Sequence, residues 1–203
     1  MHNRIQALLF LFLVVVGAGS VCAQELSREE MLPIFKSLGE EDWDNAFAQA
    51  NKLLTKFPSD TIGGVPLLNY ISIFSAAGRV TKGNMTYAEL EKHVKKFVGH
   101  RLTMSAHPTT TDTVKVAFST TILKKRGDRV IGENTSANRA ATNIFAFEYF
   151  DFDEDFPIED WNGLTSRCGG ILEKVEFNPN KSMIWVMRLH VKNAWIHEFQ
   201  PAR

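Results

Sequence analysis

Ile171-Leu172-Glu173-Lys174-Val175-Glu176-Phe177-Asn178-Pro179-Asn180-Lys181, returning through Met183, Trp185, Met187, Leu189 and Val191, is a strand, a turn and a second strand. Apolar residues recur at every second position, and Asn-Pro-Asn supplies the residues a tight turn needs. Working back from this hairpin, the same period of two returns upstream. Leu102, Met104 and Ala106 alternate with polar neighbours. Val114, Val116, Phe118, Thr120 and Ile122 alternate against Thr113, Lys115, Ser119 and Thr121, the pattern of a half-buried strand. Asn143 to Asp153 carries Phe145, Phe147 and Tyr149 on one parity and Ile144, Phe150 and Phe152 on the other, which predicts a central strand. Trp195 to Phe199 predicts a last short one. Short strands with polar connections predict an antiparallel sandwich or small barrel. An OB-like barrel is compatible with them.

Before Gly99 the period is that of a helix. Ser27 with Glu30, and Thr86 with Glu89, are capping boxes. Each leads into an apolar stripe, Met31, Leu32, Ile34, Phe35 and Leu38 in the first and Leu90, Val94, Phe97 and Val98 in the second. Pro33 predicts a first helix that starts later than its cap suggests. Trp43, Ala46, Phe47, Ala50, Leu53, Leu54 and Phe57 make an amphipathic helix of about four turns, ended by Pro58-Ser59-Asp60. Val65 to Ala77 is too continuously apolar to lie on a surface. The fold class expected is α+β: a helical module over residues 24–99, repeat-like or a small bundle, then an antiparallel β module over 100–203.

Gly39-Glu40-Glu41-Asp42-Trp43-Asp44-Asn45-Ala46, with Ala50, Leu53 and the stop at Phe57-Pro58, resembles the second helix of a tetratricopeptide repeat. Trp43, Ala46, Ala50 and Pro58 fall on that family's aromatic, small and proline positions. The likeness covers about twenty residues, and the second stripe, around Tyr87, returns after about 44 residues against the family's 34. The resemblance implies a groove that binds a protein or peptide.

The N-terminus gives an address. Met1-His2-Asn3-Arg4 is a charged tip, Ile5 to Val16 is apolar except for Gln6, and Val21-Cys22-Ala23 presents small residues before Gln24. Residues 1–23 are therefore expected to be a signal peptide, and the protein to be exported, periplasmic or secreted. Its removal takes Cys22 and leaves Cys168 as the sole cysteine, so no intramolecular disulfide is expected. The segment holds one basic residue and no acidic one, so a balance of 23 basic against 23 acidic residues becomes slightly negative. That excludes a general affinity for nucleic acid, and no membrane span is expected after cleavage.

Several motifs carry chemistry in principle. Asp151, Asp153 and Asp155 alternate as at the start of a calcium loop, whose carboxylates converge on one hard cation. The sixth and twelfth positions of that loop hold Phe156 and Asn162 in place of Gly and Glu. Calcium is the one cofactor these residues suggest. Arg126-Gly127-Asp128 resembles an integrin-recognition tripeptide and is also what a hairpin turn requires. Cys168 is a candidate nucleophile, but no histidine is placed beside it by any local signature. Trp161, Trp185 and Trp195 are candidates for an exposed sugar platform. Asn84-Met85-Thr86 and Asn134-Thr135-Ser136 are glycosylation sequons. The function expected is non-enzymatic binding or scaffolding, through the helical groove or the junction of the two modules. The partner expected is another envelope or extracellular protein or peptide. The alternative is a small hydrolase using Cys168 or carboxylates of residues 151–160.

Overall fold

A computed structural model describes residues 26–113, 120–181 and 184–199. The expected signal segment 1–23, the strand reading over 114–119 and Met183 lie outside the described residues. Four helices come first: α1 (Arg28–Gly39), α2 (Trp43–Lys56), α3 (Val65–Thr81) and α4 (Tyr87–Val94). Both capping boxes form, Ser27 with Glu30 and Thr86 with Glu89. Contrary to the proline-based expectation, α1 starts at Arg28 with Pro33 inside it. The cap satisfies the first free N–H groups, so the helix begins where its cap sits.

α2 lays Trp43, Ala46 and Ala50 against the long, largely buried α3. The small residues let the two backbones approach, and Gly78 of α3 lies directly under the Trp43 ring, where any Cβ would collide with it. Trp43 also meets Phe74 and Phe145 edge-on, at 5.6 and 5.1 Å between centroids. The face that resembles a repeat helix is thus filled by the chain itself.

Six strands follow: β1 (Arg101–Thr110), β2 (Thr121–Arg126), β3 (Arg129–Ala137), β4 (Ile144–Phe152), β5 (Thr165–Phe177) and β6 (Trp185–Glu198). They close into a barrel in the order β1-β2-β3-β4-β6-β5. The β5–β6 hairpin forms, with Phe177 opposite Met187 and Leu172 opposite Val191. The all-antiparallel expectation gives way to a mixed sheet, because β1 pairs with β2 and β4 with β6 in parallel. The β1–β2 contact is short, Thr109 opposite Thr121 and Thr110 opposite Ile122, and β2 runs on in the direction of β1. The two behave as staggered halves of one strand. Counted so, the barrel has five strands and one parallel closure, an arrangement compatible with the OB-like barrel considered from the sequence.

The helices cap this barrel. One core runs from Trp43, Tyr70, Ile73 and Leu90 into Leu102, Phe145, Leu172 and Leu189. A smaller core of Met31, Ile34, Ala50, Leu68 and Ile71 holds α1 to α2 and α3. Asn69 on α3 donates to the Arg101 carbonyl at 2.9 Å, and the Arg101 N–H donates to Asp60 at 2.8 Å. Apolar burial and directional bonds thus join helices to barrel. Among the described residues, no helix is long and apolar enough to cross a membrane.

Candidate functional site

The alternation of β3 and β4 sorts their side chains between the barrel's two faces. Gly132, Asn134 and Ser136 point inward with Ala146, Glu148, Phe150 and Phe152. Ile131, Glu133 and Thr135 point outward with Phe147, Tyr149 and Asp151. The β4–β6 pairing adds Arg188 and His190 to the outer face. Register then builds cross-strand rows, Thr135–Phe147–Arg188 and Glu133–Tyr149–His190. In the second row the Tyr149 and His190 rings stack at 5.1 Å with 17° between planes. Beside the first, Phe147 meets Trp185 at 6.0 Å, and the Arg188 guanidinium lies 4.6 Å from the Trp185 ring centre. Ile184, 70 % exposed, extends this apolar end.

Two clefts lie on that face. The larger, about 490 Å3, is bounded by Arg126, Arg129, Glu133, Tyr149, Asp151 and His190. The other, about 220 Å3, shares Glu133 and Tyr149 with it and continues to Thr135 and Phe147. The surrounding charges largely neutralise one another. Arg129 pairs with Asp151 at 3.1 Å, Lys124 with Glu133 at 2.6 Å and Lys192 with Glu173 at 3.3 Å. Glu176 faces Lys174, Arg188 and His190, and the hydrogen bond from Lys174 is the main cause holding its carboxyl below the usual range. A surface of stacked rings with balanced charge suits contact by shape and π-faces more than attraction of one charge sign.

The expected calcium site does not assemble. Asp151 is taken up by Arg129, Asp155 by Lys125, and Asp153 faces a different cleft. Among the described residues, no three His, Cys, Asp or Glu side chains converge to hold a metal. Carboxylates at alternate positions converge only where the loop curls, and here Asp151 still belongs to β4. Gly127, at φ +66°, and Asp128 form the two-residue turn closing β2 onto β3, with Arg126 opposite Arg129. The Asn134 sequon is buried, its amide donating to Glu148 at 2.6 Å, so that amide is out of a glycosylating enzyme's reach in the folded chain. The Asn84 sequon is exposed.

Cys168 is buried in the barrel. Burial, reinforced by the nearby Glu148 charge, pushes its thiol up to about 12 despite the Ser166 hydroxyl that bonds to it. A thiolate nucleophile needs the opposite environment. Glu148 itself is fully buried and accepts from Tyr70 at 2.6 Å and Ser136 at 2.8 Å. Sealed from solvent, its carboxyl can tie α3 to the barrel but cannot meet a substrate. The only sequence cue to it is an acid on the inward parity of an aromatic strand.

The junction of helices and barrel carries a cleft of about 280 Å3, bounded by Asn51, Leu54, Asn69, His93, Phe97 and His100. It is small for a ligand site. Its His93 bonds to Ser72 at 2.9 Å and is lowered to about 4, by burial first and then by Lys96 and Arg79. Of the three tryptophans proposed as a platform, Trp161 and Trp195 share a cleft, while Trp185 stands apart on the outer face. Comparison with protein-family profiles, curated proteins and solved structures returns no match for this chain.

Proposed function

We propose that the chain is an exported, non-enzymatic binding or scaffolding protein that takes a peptide segment of another envelope or extracellular protein across the outer face of β3, β4 and β6. The observation that carries this reading is the pair of adjoining clefts over Tyr149, lined by cross-strand aromatic rows and flanked by exposed Ile184. Half-exposed aromatics and arginines of this kind are the side chains that dominate protein interfaces. OB-type barrels use the corresponding strands and neighbouring loops for ligands, an analogy of fold that adds weight without naming a partner. The helical groove and the module junction are weaker seats, since α2 is filled by α3 and the junction cleft is small.

The hydrolase reading loses support from the same geometry. Cys168 is buried and held as a thiol, and the carboxylates of residues 151–160 are split between two clefts, Asp151 in one with His190 and Asp153 and Glu154 in the other with His197, with Cys168 in neither. The test is partner capture from the envelope fraction of the native host with the full chain. Tyr149→Ala combined with Trp185→Ala is expected to cut recovery of the captured partner at least about tenfold, the loss typical of interface anchors. Undiminished capture by that variant would remove the outer face from consideration.

A further inference from the structure

A fourth cleft, of about 380 Å3, lies where β4 ends and β6 passes it, and its walls are Phe152, Phe156, Trp161, Trp195, Ile196 and His197. We infer that this cleft binds a small quaternary ammonium solute, an assignment that does not rest on the outer-face reading.

The aromatic walls are built by two local devices. Phe152, Phe156 and Trp161 form a chain of edge contacts, with centroids 5.2 and 6.2 Å apart, folded over by the short 3-10 turn Ile158–Trp161. Trp195 comes from the opposite side. Between Lys192 and Trp195 the pairing of β6 with β5 slips, so that Ile171 faces Lys192 while Gly169 faces Trp195. The two unmatched residues, with Asn193 at φ +48°, form a bulge that re-aims the strand. The indole then lies against Gly169, where any Cβ would strike it. Trp195 is backed by His197 at 4.8 Å.

Charge at the rim selects the occupant. Four acids lie between residues 151 and 155, and they divide in two. Asp151 and Asp155 are neutralised by Arg129 and Lys125. Asp153 and Glu154, the two that border the cleft, have no ion pair or hydrogen bond among the described residues. An apolar pocket with aromatic faces and two unneutralised carboxylates is complementary to a cation with an apolar shell. A sugar would need several fixed donors and acceptors for its hydroxyls, and the cleft offers few. A primary ammonium would lose more hydration on entering, so an alkylated one fits better.

The experiment is a calorimetric titration of the full chain with choline chloride, against sodium chloride at the same ionic strength. The neutral isostere 3,3-dimethylbutan-1-ol is run in parallel. Choline is expected to bind saturably with Kd of about a millimolar, a range in reach of a few cation–π contacts. The alcohol is expected to bind at least about tenfold more weakly. Asp153→Asn with Glu154→Gln, both exposed and unpaired, is expected to weaken choline binding about tenfold, and Trp161→Leu to weaken it further. Equal binding of choline and the alcohol would overturn the charge selection. Absence of saturable choline binding up to ~100 mM would overturn the site itself. Neither outcome bears on the outer face.

Discussion

Glu148 sits at the centre of the barrel and is fully buried, yet no Lys or Arg pairs with it among the described residues. Burial raises its pKa above the ordinary carboxylate range, and the bonds from Tyr70, Ser136 and Asn134 oppose that rise only in part. Burial of the phenol first, and then the same carboxyl, push Tyr70 far up. A neutral carboxylic acid also suits the unpartnered Asn134 Oδ1, since turning that amide over would let it accept the acid's proton. The sign for stability follows. Because the folded value is the higher one, this contribution is complete below the unfolded carboxylate range and is lost as pH rises through the folded value. Glu148→Gln, which mimics the neutral acid, is expected to match the parent near pH 4. It should gain on it towards pH 8, by about 3–8 °C in Tm. Comparing the two proteins at each pH cancels the opposite slope from His93 and His107. Both are lowered to about 4, mainly by burial, so their contribution is present above pH 6.5 and lost on acidification. A Tm difference that stays constant from pH 4 to pH 8 would show that Glu148 is ionised throughout.

Among the elements, α2 and α3 show how one glycine fixes a helix pair. Gly78→Ala would gain about 1 kcal/mol of helix propensity on an exposed face. Here the added methyl meets the buried Trp43 ring, which edge-on contacts with Phe74 and Phe145 hold in place. Overpacking of this kind costs ~2–3 kcal/mol, and net destabilisation is expected in a urea melt. A stabilised variant would mean that the indole swings aside.

The elements that were legible in the sequence are those whose cause is local. Ser27 and Thr86 announce two helices because a cap acts within four residues. Asn178-Pro179-Asn180 announces the β5–β6 hairpin because its strands are neighbours along the chain. The parallel β4–β6 closure was not legible, since nothing in Phe147 or Arg188 alone says that they lie side by side. The same holds for Tyr149 and His190, so the outer-face rows were invisible even though the aromatic content of Asn143 to Asp153 was plain. Trp161 and Trp195 were legible as candidates. Their meeting depends on the Lys192–Trp195 bulge, which no residue pattern marked. The alternating aspartates do not gather on one point among the described residues, because spacing alone does not curl a loop.

For the whole molecule, the described strands close into a barrel, so a partner is offered chiefly side-chain faces rather than a long open sheet edge. The helical cap occupies part of the barrel surface and shares its core. This leaves the outer face of β3, β4 and β6 as the broad surface with adjoining clefts. Leu32 and Phe35, 51 % and 43 % exposed on α1, are the competing apolar patch, on the module for which the repeat-like helix implied a groove. Site-specific photocrosslinking separates the two. A benzoylphenylalanine placed at Phe147 or Trp185, and in parallel at Leu32 or Phe35, is irradiated with the full chain in cells of its native host. The expected result is a discrete partner adduct from Phe147 and Trp185, and none from Leu32 or Phe35. Adducts from the α1 positions alone would contradict the account and return the binding surface to the helices.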